Sequence, residues 1–107
     1  MPTEKTQAVL DHHSATLQAG DIDGVLEDYS EESVLITNLG GIVKGLDGLR
    51  AAFGAVKDFP GFEHTVEHVD GDYAFITWKM DGIPFGTDTF VVRDGKIVMQ
   101  TAAFHFG

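Results

Sequence analysis

Hydrophobic positions recur at helical spacing in the first part of the chain. Between residues 6 and 20 the repeat comprises Val9, Leu10, His13 and Leu17. Positions three and four apart lie on one face of an α-helix, so this pattern predicts an amphipathic helix. His13 is the polar member of an otherwise apolar stripe.

Two more helices are predicted on the same grounds. Asp21 is a residue type that caps helix N-termini. The apolar face that follows it comprises Ile22, Val25, Leu26 and Tyr29. A third helix is predicted from residue 46 to about residue 56, before the break at Phe59-Pro60-Gly61. Its apolar stripe comprises Leu46, Leu49, Phe53 and Val56.

The remaining segments have the composition of β-strands. A strand is predicted over residues 33–38 (SVLITN), which are rich in β-branched side chains, with a short return strand over residues 42–45. After residue 61, longer strands alternate with turns at Asp70-Gly71, Asp81-Gly82 and Asp94-Gly95. Helices followed by antiparallel strands predict an α+β fold with the helices on one face of a curved sheet.

The alternation within two strands predicts which faces are buried. In GFEHTVEHV, we expect Phe62, His64, Val66 and His68 to face inward and Glu63, Thr65 and Glu67 to face outward. DYAFITWKM is apolar on both faces, with Ala74, Ile76 and Trp78 on one and Tyr73 and Phe75 on the other. We expect the helices to cover the first face and a second subunit to cover the other, which predicts a homodimer.

Composition and charge exclude several classes of function. The 107 residues fit a single domain spanning 1–107, and the formal net charge of −10 disfavours nucleic acid and anionic membranes as partners. The absence of cysteine excludes disulfides and thiolate chemistry. The N-terminus lacks the basic and apolar regions of a secretory signal, so we expect a soluble cytoplasmic protein.

Asp88 is the principal candidate for chemistry, because a strand flanked by Thr, Phe and Val is an unusual place for a carboxylate. Either it faces water, or it faces a cavity in which it has a role. His64 is a second candidate, for chemistry or for a simple polar contact. The adjacent pair His12-His13 points in divergent directions on a helix, and His64 and His68 are too far apart to chelate one ion. We predict no metal and, in the absence of a phosphate-binding glycine motif, no cofactor.

Three stretches of the chain carry a resemblance to a known superfamily. AGDIDGVLEDYSEES, IVKGLDGLRAAF and DTFVVRDGKIVMQTAAF resemble the second helix, the entry into the third helix and the last two strands of the nuclear transport factor 2-like superfamily. Its small members include ketosteroid isomerases and SnoaL-like polyketide cyclases. The resemblance implies a cone-shaped fold, in which three N-terminal helices pack on a curved, mostly antiparallel sheet and enclose a pocket.

The resemblance also implies where catalytic residues would lie. The tyrosine that ketosteroid isomerases carry on the first helix corresponds to His13, and their aspartate base corresponds to Thr37. Their protonated aspartate corresponds to Asp88. Because Thr37 replaces the base, we do not expect steroid isomerisation. His13 and Asp88 are the catalytic candidates; His13 is alternatively a residue of the core or the pocket wall.

Residues from several elements are expected to contact a ligand. These are Tyr29, Thr37, Asn38, Phe53, His64, Trp78, Phe90, Gln100 and Phe104. For the aromatic residues the alternative is core packing, and for Gln100 it is a structural hydrogen bond. Asn38 alternatively stabilises the turn that follows it.

Two classes of function fit these observations. The first is a pocket for a small, largely apolar organic molecule, with or without cofactor-independent proton transfer on a carbonyl-bearing or polyketide-like substrate. Isomerisation, cyclisation and dehydration belong to this class. The second is a non-catalytic ligand-binding or protein-interaction module of the same fold.

Overall fold

The computed structural model describes residues 2–56 and 58–107. Its helices are α1 (Pro2–Gln18), α2 (Ile22–Leu26) and α3 (Gly45–Gly54). Its strands are β1 (Val34–Thr37), β2 (Gly41–Lys44), β3 (Glu63–Asp70), β4 (Tyr73–Met80), β5 (Ile83–Arg93) and β6 (Lys96–His105). The predicted α+β class and the order of elements are confirmed.

The helix ends differ slightly from the predicted ones. α1 begins at Pro2, because proline is tolerated at the first helical position, where its missing N–H has no intrahelical partner to lose. The side chain of Asp21 accepts a hydrogen bond from the Gly24 amide, so the predicted cap of α2 is confirmed. Tyr29 lies beyond the end of α2, and Val56 lies beyond the end of α3.

The six strands form one curved sheet in the order β2-β1-β6-β5-β4-β3. Within the described residues, neighbouring strands are antiparallel except for the parallel pair β1–β6. The helices cover the concave face of the sheet. The main contributors to the core between the two layers are Val9, Val25, Leu49, Phe90, Val92 and Ile97.

A β-bulge in β3 overturns the face assignment predicted for this strand. His64 pairs with Trp78, but the next pair is Val66 with Thr77, so Thr65 is an extra residue in the ladder. The insertion reverses the alternation beyond it. Glu67 therefore lines the same concave side as His64. The prediction that Val66 and His68 face inward and Glu67 outward was wrong, because simple alternation assumes an unbroken ladder.

The two faces of β4 differ in exposure as the sequence predicts. Ala74 and Ile76 are buried on the concave side. Tyr73 retains 59% of its accessible surface and Phe75 37% on the convex side. The convex face of a single chain thus exposes aromatic rings to solvent. Its burial by a second subunit stays a prediction.

Candidate functional site

A cavity of about 910 Å³ lies between the helices and the concave face of the sheet. Its walls are mostly apolar, with Leu10 and Leu17 from α1, Phe53 from α3, and Leu35, Ile76 and Phe90 from the sheet. This volume is within the range of pockets that bind small organic molecules. Polar side chains form the smaller part of the lining, and their positions restrict what can bind.

One wall of the cavity is a row of aromatic rings centred on Trp78. The ring of Phe62 stacks on the indole with a centroid distance of 5.7 Å, and Phe104 lies on its other side, also at 5.7 Å. Phe59 and Phe106 extend the row through edge contacts. These rings form an apolar wall next to the polar end of the cavity.

Asp88 lies at that polar end, on β5, between Ile76 of β4 and Ala102 of β6. Its Oδ1 accepts a hydrogen bond of 2.8 Å from the indole N–H of Trp78. Its Oδ2 accepts one of 2.7 Å from the side-chain amide of Gln100. The carboxylate is therefore held between two neutral donors while it lines the cavity.

Gly86 explains how the indole of Trp78 reaches Asp88. The two residues pair directly across β4 and β5. A Cβ atom at Gly86 would overlap the indole ring, so any other residue would push the ring away. The absence of a side chain thus lets Trp78 lie flat across β5 and extend its N–H toward Asp88.

The pKa of Asp88 is raised to about 6, chiefly because burial disfavours the charged carboxylate. The hydrogen bonds from Trp78 and Gln100 act in the opposite direction, since they stabilise the charge. A net increase in pKa is the change expected for a carboxylic acid in an apolar pocket. At neutral pH the group is mainly a carboxylate with a pKa close to the ambient pH, as suits a general base.

Tyr29 and Gln100 form a buried support behind Asp88. The Tyr29 hydroxyl donates to Oε1 of Gln100, and only 2% of Gln100 is exposed. Burial raises the pKa of Tyr29 well above its ordinary value, so the hydroxyl keeps its proton and stays a donor. This contact orients the amide so that its N–H groups point to Asp88. Tyr29 therefore lies one layer behind the cavity surface, not in the ligand contact that the sequence suggested.

His13 lines the cavity beside this support and is only 6% exposed. Burial lowers its pKa to about 4, with smaller contributions from the charges of His12 and His64, so the imidazole is neutral at pH 7. Its Nδ1 lies 3.5 Å from the Tyr29 hydroxyl oxygen. Because the one Tyr29 proton is directed at Gln100, a hydrogen bond across this distance uses the tautomer in which Nδ1 donates and Nε2 keeps its lone pair.

The sequence proposed His13 and Asp88 as the catalytic candidates, and the structure connects the two side chains indirectly. Within residues 2–56 and 58–107 no direct hydrogen bond joins the two side chains; the route runs through Tyr29 and Gln100. An amide does not pass protons readily. The two residues therefore present separate groups to a ligand instead of acting as one acid–base couple.

The side chains of Thr37 and Asn38 both form hydrogen bonds with the protein backbone. The Thr37 hydroxyl accepts hydrogen bonds from the Leu39 and Gly40 amides, although the residue still lines the cavity. Asn38 is exposed outside the cavity, and its side chain makes two hydrogen bonds to the backbone of Phe104. Neither role considered for Asn38 describes these contacts, which join the residue after β1 to β6.

Three carboxylates at the cavity rim were not identified from the sequence. Asp11 of α1, Asp58 and Glu67 line the entrance, together with the exposed imidazole of His64. Glu67 also accepts a hydrogen bond of 2.7 Å from the Gln7 side chain. The position of Glu67 was not predictable, because the bulge in β3 reverses the side to which it points. Asp11 follows Leu10 at the edge of the apolar stripe of α1, so the helical spacing could have indicated its position.

Among the described residues, no three His, Asp or Glu side chains lie close enough together to hold a metal ion. None of the helices in the described part of the chain combines the length and the apolar character needed to cross a membrane.

A fold of three helices on a curved sheet with an internal cavity defines the nuclear transport factor 2-like class of proteins. Within that class, residues 10–100 match the family model of the SnoaL-like domain, so the chain belongs to that family. Comparison with curated proteins gave no match.

Solved structures show the same fold over nearly the whole chain. A nuclear transport factor 2-like protein of unknown function from Burkholderia xenovorans LB400 is 23% identical, with a TM-score of 0.85 over 100% of this chain and 88% of that one. One from Mesorhizobium loti is 25% identical, with a TM-score of 0.83 over 98% and 94%. A protein from Kribbella flavida, provisionally assigned as a ketosteroid isomerase, is 17% identical, with a TM-score of 0.77 over 98% and 81%. At these identities the likeness establishes the fold and leaves the activity open.

Proposed function

We propose that the protein binds a small, largely apolar organic molecule in its cavity and that Asp88 takes a proton from it. The observation that carries this proposal is the position of Asp88. It is a carboxylate of raised pKa at the polar end of a mostly apolar cavity of about 910 Å³. Such a group accepts protons at neutral pH and still releases them readily.

The chemistry that fits is proton transfer next to a carbonyl group. The Asp88 carboxylate takes a proton from the carbon beside the carbonyl, and the electron pair of that bond moves toward the carbonyl oxygen. Return of the proton to another carbon gives isomerisation; attack of the resulting enolate on a second carbonyl gives cyclisation. Thr37 cannot replace Asp88 as the base, because its hydroxyl is not basic at neutral pH and already accepts two amide hydrogen bonds.

A non-catalytic binding function is the alternative, and one observation favours it. A catalyst of enolate formation needs a donor or a cation for the developing oxyanion. Among the described residues no Lys or Arg lines the cavity, and the indole N–H of Trp78 is already directed at Asp88. The cavity would then hold its ligand without converting it.

We further propose that the protein works as a homodimer in the cytoplasm. Val66, Tyr73 and Phe75 expose apolar surface on the convex face of the sheet. Burying this surface against a second copy would remove it from water. The absence of cysteine fits a reducing compartment.

Hydrogen–deuterium exchange separates the catalytic and non-catalytic alternatives without knowledge of the natural substrate. A panel of cyclic ketones is incubated with the protein in heavy water, and loss of the α-proton signals is followed by NMR. The wild type should accelerate exchange for at least one ketone, and Asp88→Asn should abolish the acceleration. Glu63→Gln is the matched control, since that carboxylate lies on the other side of β3.

The same samples report binding through the indole fluorescence of Trp78. Binding of a ketone without accelerated exchange would support the non-catalytic alternative. Failure of every apolar probe to bind would contradict the proposed function as a whole.

A further inference from the structure

The polar end of the cavity offers hydrogen-bond acceptors and few free donors. Asp88 presents both carboxylate oxygens, each of which accepts one hydrogen bond and has capacity for another. The Nε2 atom of His13 carries a lone pair, and within the described residues no side chain donates to it. The indole N–H of Trp78 and the hydroxyl of Tyr29 are already used as donors. A ligand that fits this end therefore supplies donors.

The charges around the cavity have one sign. Its lining includes the carboxylates of Asp11, Asp58, Glu67 and Asp88. No Lys or Arg side chain from residues 2–56 or 58–107 lines it. The chain as a whole carries a formal net charge of −10. Fields of one sign that converge on a cleft attract ligands of the opposite charge and repel those of the same charge.

The aromatic wall adds a second attraction for positive charge. Trp78 lies between Phe62 and Phe104, close to the carboxylate to which its N–H donates. Cations near the faces of such rings are attracted by the ring quadrupole, most strongly by tryptophan. The wall also gives an apolar ligand body a surface to stack on.

We propose that the ligand is an organic cation, with an apolar body against the aromatic wall and a protonated amine at Asp88 and Nε2 of His13. This inference rests on the binding part of the proposed function, because it requires that the cavity takes a small molecule. It accords with the non-catalytic alternative, since an ammonium group paired with Asp88 occupies the carboxylate that would otherwise accept a proton. It adds the class of ligand. The ammonium group would supply the positive partner that the buried carboxylate lacks among the described residues, and its N–H groups would meet the free acceptors.

The pH dependence of binding affinity distinguishes an organic cation from a neutral carbonyl ligand. An ammonium ion needs the carboxylate form of Asp88, so its affinity should rise as pH increases through about 6. A neutral carbonyl ligand forms no ion pair with the carboxylate, so its affinity should not rise over the same range. The groups that face Asp88 from neighbouring elements are Trp78 on β4, Gln100 on β6 and Tyr29 before β1. Farther along the cavity are His13 on α1 and His64 and Glu67 on β3. The variant at Asp88 separates the contribution of this carboxylate from that of the other groups around the cavity.

The test uses three probes with one apolar body: naphthylmethylamine, naphthylmethanol and naphthoate. Dissociation constants are measured by calorimetry at about pH 5 and about pH 7.5, on either side of the carboxylate titration. The proteins are the wild type, Asp88→Asn and the control Glu63→Gln, which removes one negative charge outside the cavity. Circular dichroism checks that each variant is folded.

The wild type and Glu63→Gln should bind the amine about tenfold or more tightly than the alcohol at the higher pH, and bind naphthoate most weakly. This preference should shrink at the lower pH and in Asp88→Asn. Equal or tighter binding of the alcohol by the wild type at the higher pH would overturn the cation proposal and leave the cavity's binding function intact. An amine preference that is unchanged in Asp88→Asn would also overturn it, since the acidic rim would then be its source. If none of the probes binds, the proposed function fails as well.

Discussion

Asp88 and His13 are buried in the same cavity wall, and burial favours the neutral form of each. The pKa of Asp88 is raised to about 6, whereas that of His13 is lowered to about 4. Their consequences for stability have opposite signs. The folded state disfavours the ionised form of Asp88, so the free energy of unfolding decreases as pH rises from about 3.8 to about 6. The folded state disfavours the protonated form of His13, so the free energy of unfolding decreases as pH falls from about 6.5 to about 4.

Single substitutions should separate the effects of Asp88 and His13 on the pH dependence of stability. Relative to Asp88→Asn, the wild type should lose on the order of 1–3 kcal/mol of unfolding free energy as pH rises through the Asp88 window. Relative to His13→Phe, which keeps an aromatic ring among Tyr29, Phe53 and Phe90, it should lose stability as pH falls through the His13 window. Urea unfolding at several pH values measures both. Stability curves of wild type and variant that run parallel would contradict the corresponding assignment.

Individual residues of the site were predictable where their strand alternates regularly. Asp88 and Phe90 lie on the cavity side of β5 as expected. The support behind Asp88 was not predictable, because Tyr29 and Gln100 are 71 positions apart and meet only in the folded sheet. For the same reason the sequence suggested that Tyr29 is a ligand contact, although it lies behind Gln100.

At the scale of whole elements, the turns were easier to predict than the register. Asp-Gly pairs favour tight turns through local backbone preferences, so the three hairpins of β3 to β6 could be located from the sequence. The bulge at Thr65 depends on the pairing of β3 with β4. No local signal indicates it, and it changes the face of every residue that follows in the strand.

The bulge makes Glu67 a rim residue and His68 an outer one, which gives a matched pair of substitutions. Glu67→Trp should place a large ring at the cavity entrance and weaken the binding of an apolar probe by about tenfold or more. His68→Trp, paired with Phe75 on the convex face, should leave probe affinity within about twofold of wild type. Fluorescence titration measures both. A stronger effect from His68→Trp than from Glu67→Trp would mean that β3 follows the unbroken alternation after all.

At the scale of the whole molecule, charge and exposed apolar surface act against each other. A formal net charge of −10 makes chains repel, whereas the convex face exposes Val66, Tyr73 and Phe75. Salt screens the repulsion and leaves the apolar attraction. Association through this face should therefore strengthen as salt concentration increases.

Light scattering tests this association. At micromolar concentration and moderate salt, the wild type should have twice the chain mass. Phe75→Arg should be monomeric, because it places a charge within the apolar surface. Arg50→Ala is a suitable control, since that exposed side chain pairs with Asp23 on the helical side of the molecule. A monomeric wild type would contradict the proposed dimer and would leave the cavity and its chemistry unaffected.

The central claim is that Asp88 faces a ligand-binding cavity as a proton-accepting carboxylate. The most direct test is an NMR titration of its carboxyl carbon, with and without an apolar probe. We predict a midpoint near 6 in the free protein, from burial in the cavity wall, and a clear shift of that midpoint when the probe binds. A midpoint near the ordinary value of 3.8, unchanged by a probe that binds elsewhere, would place Asp88 in water and contradict the account.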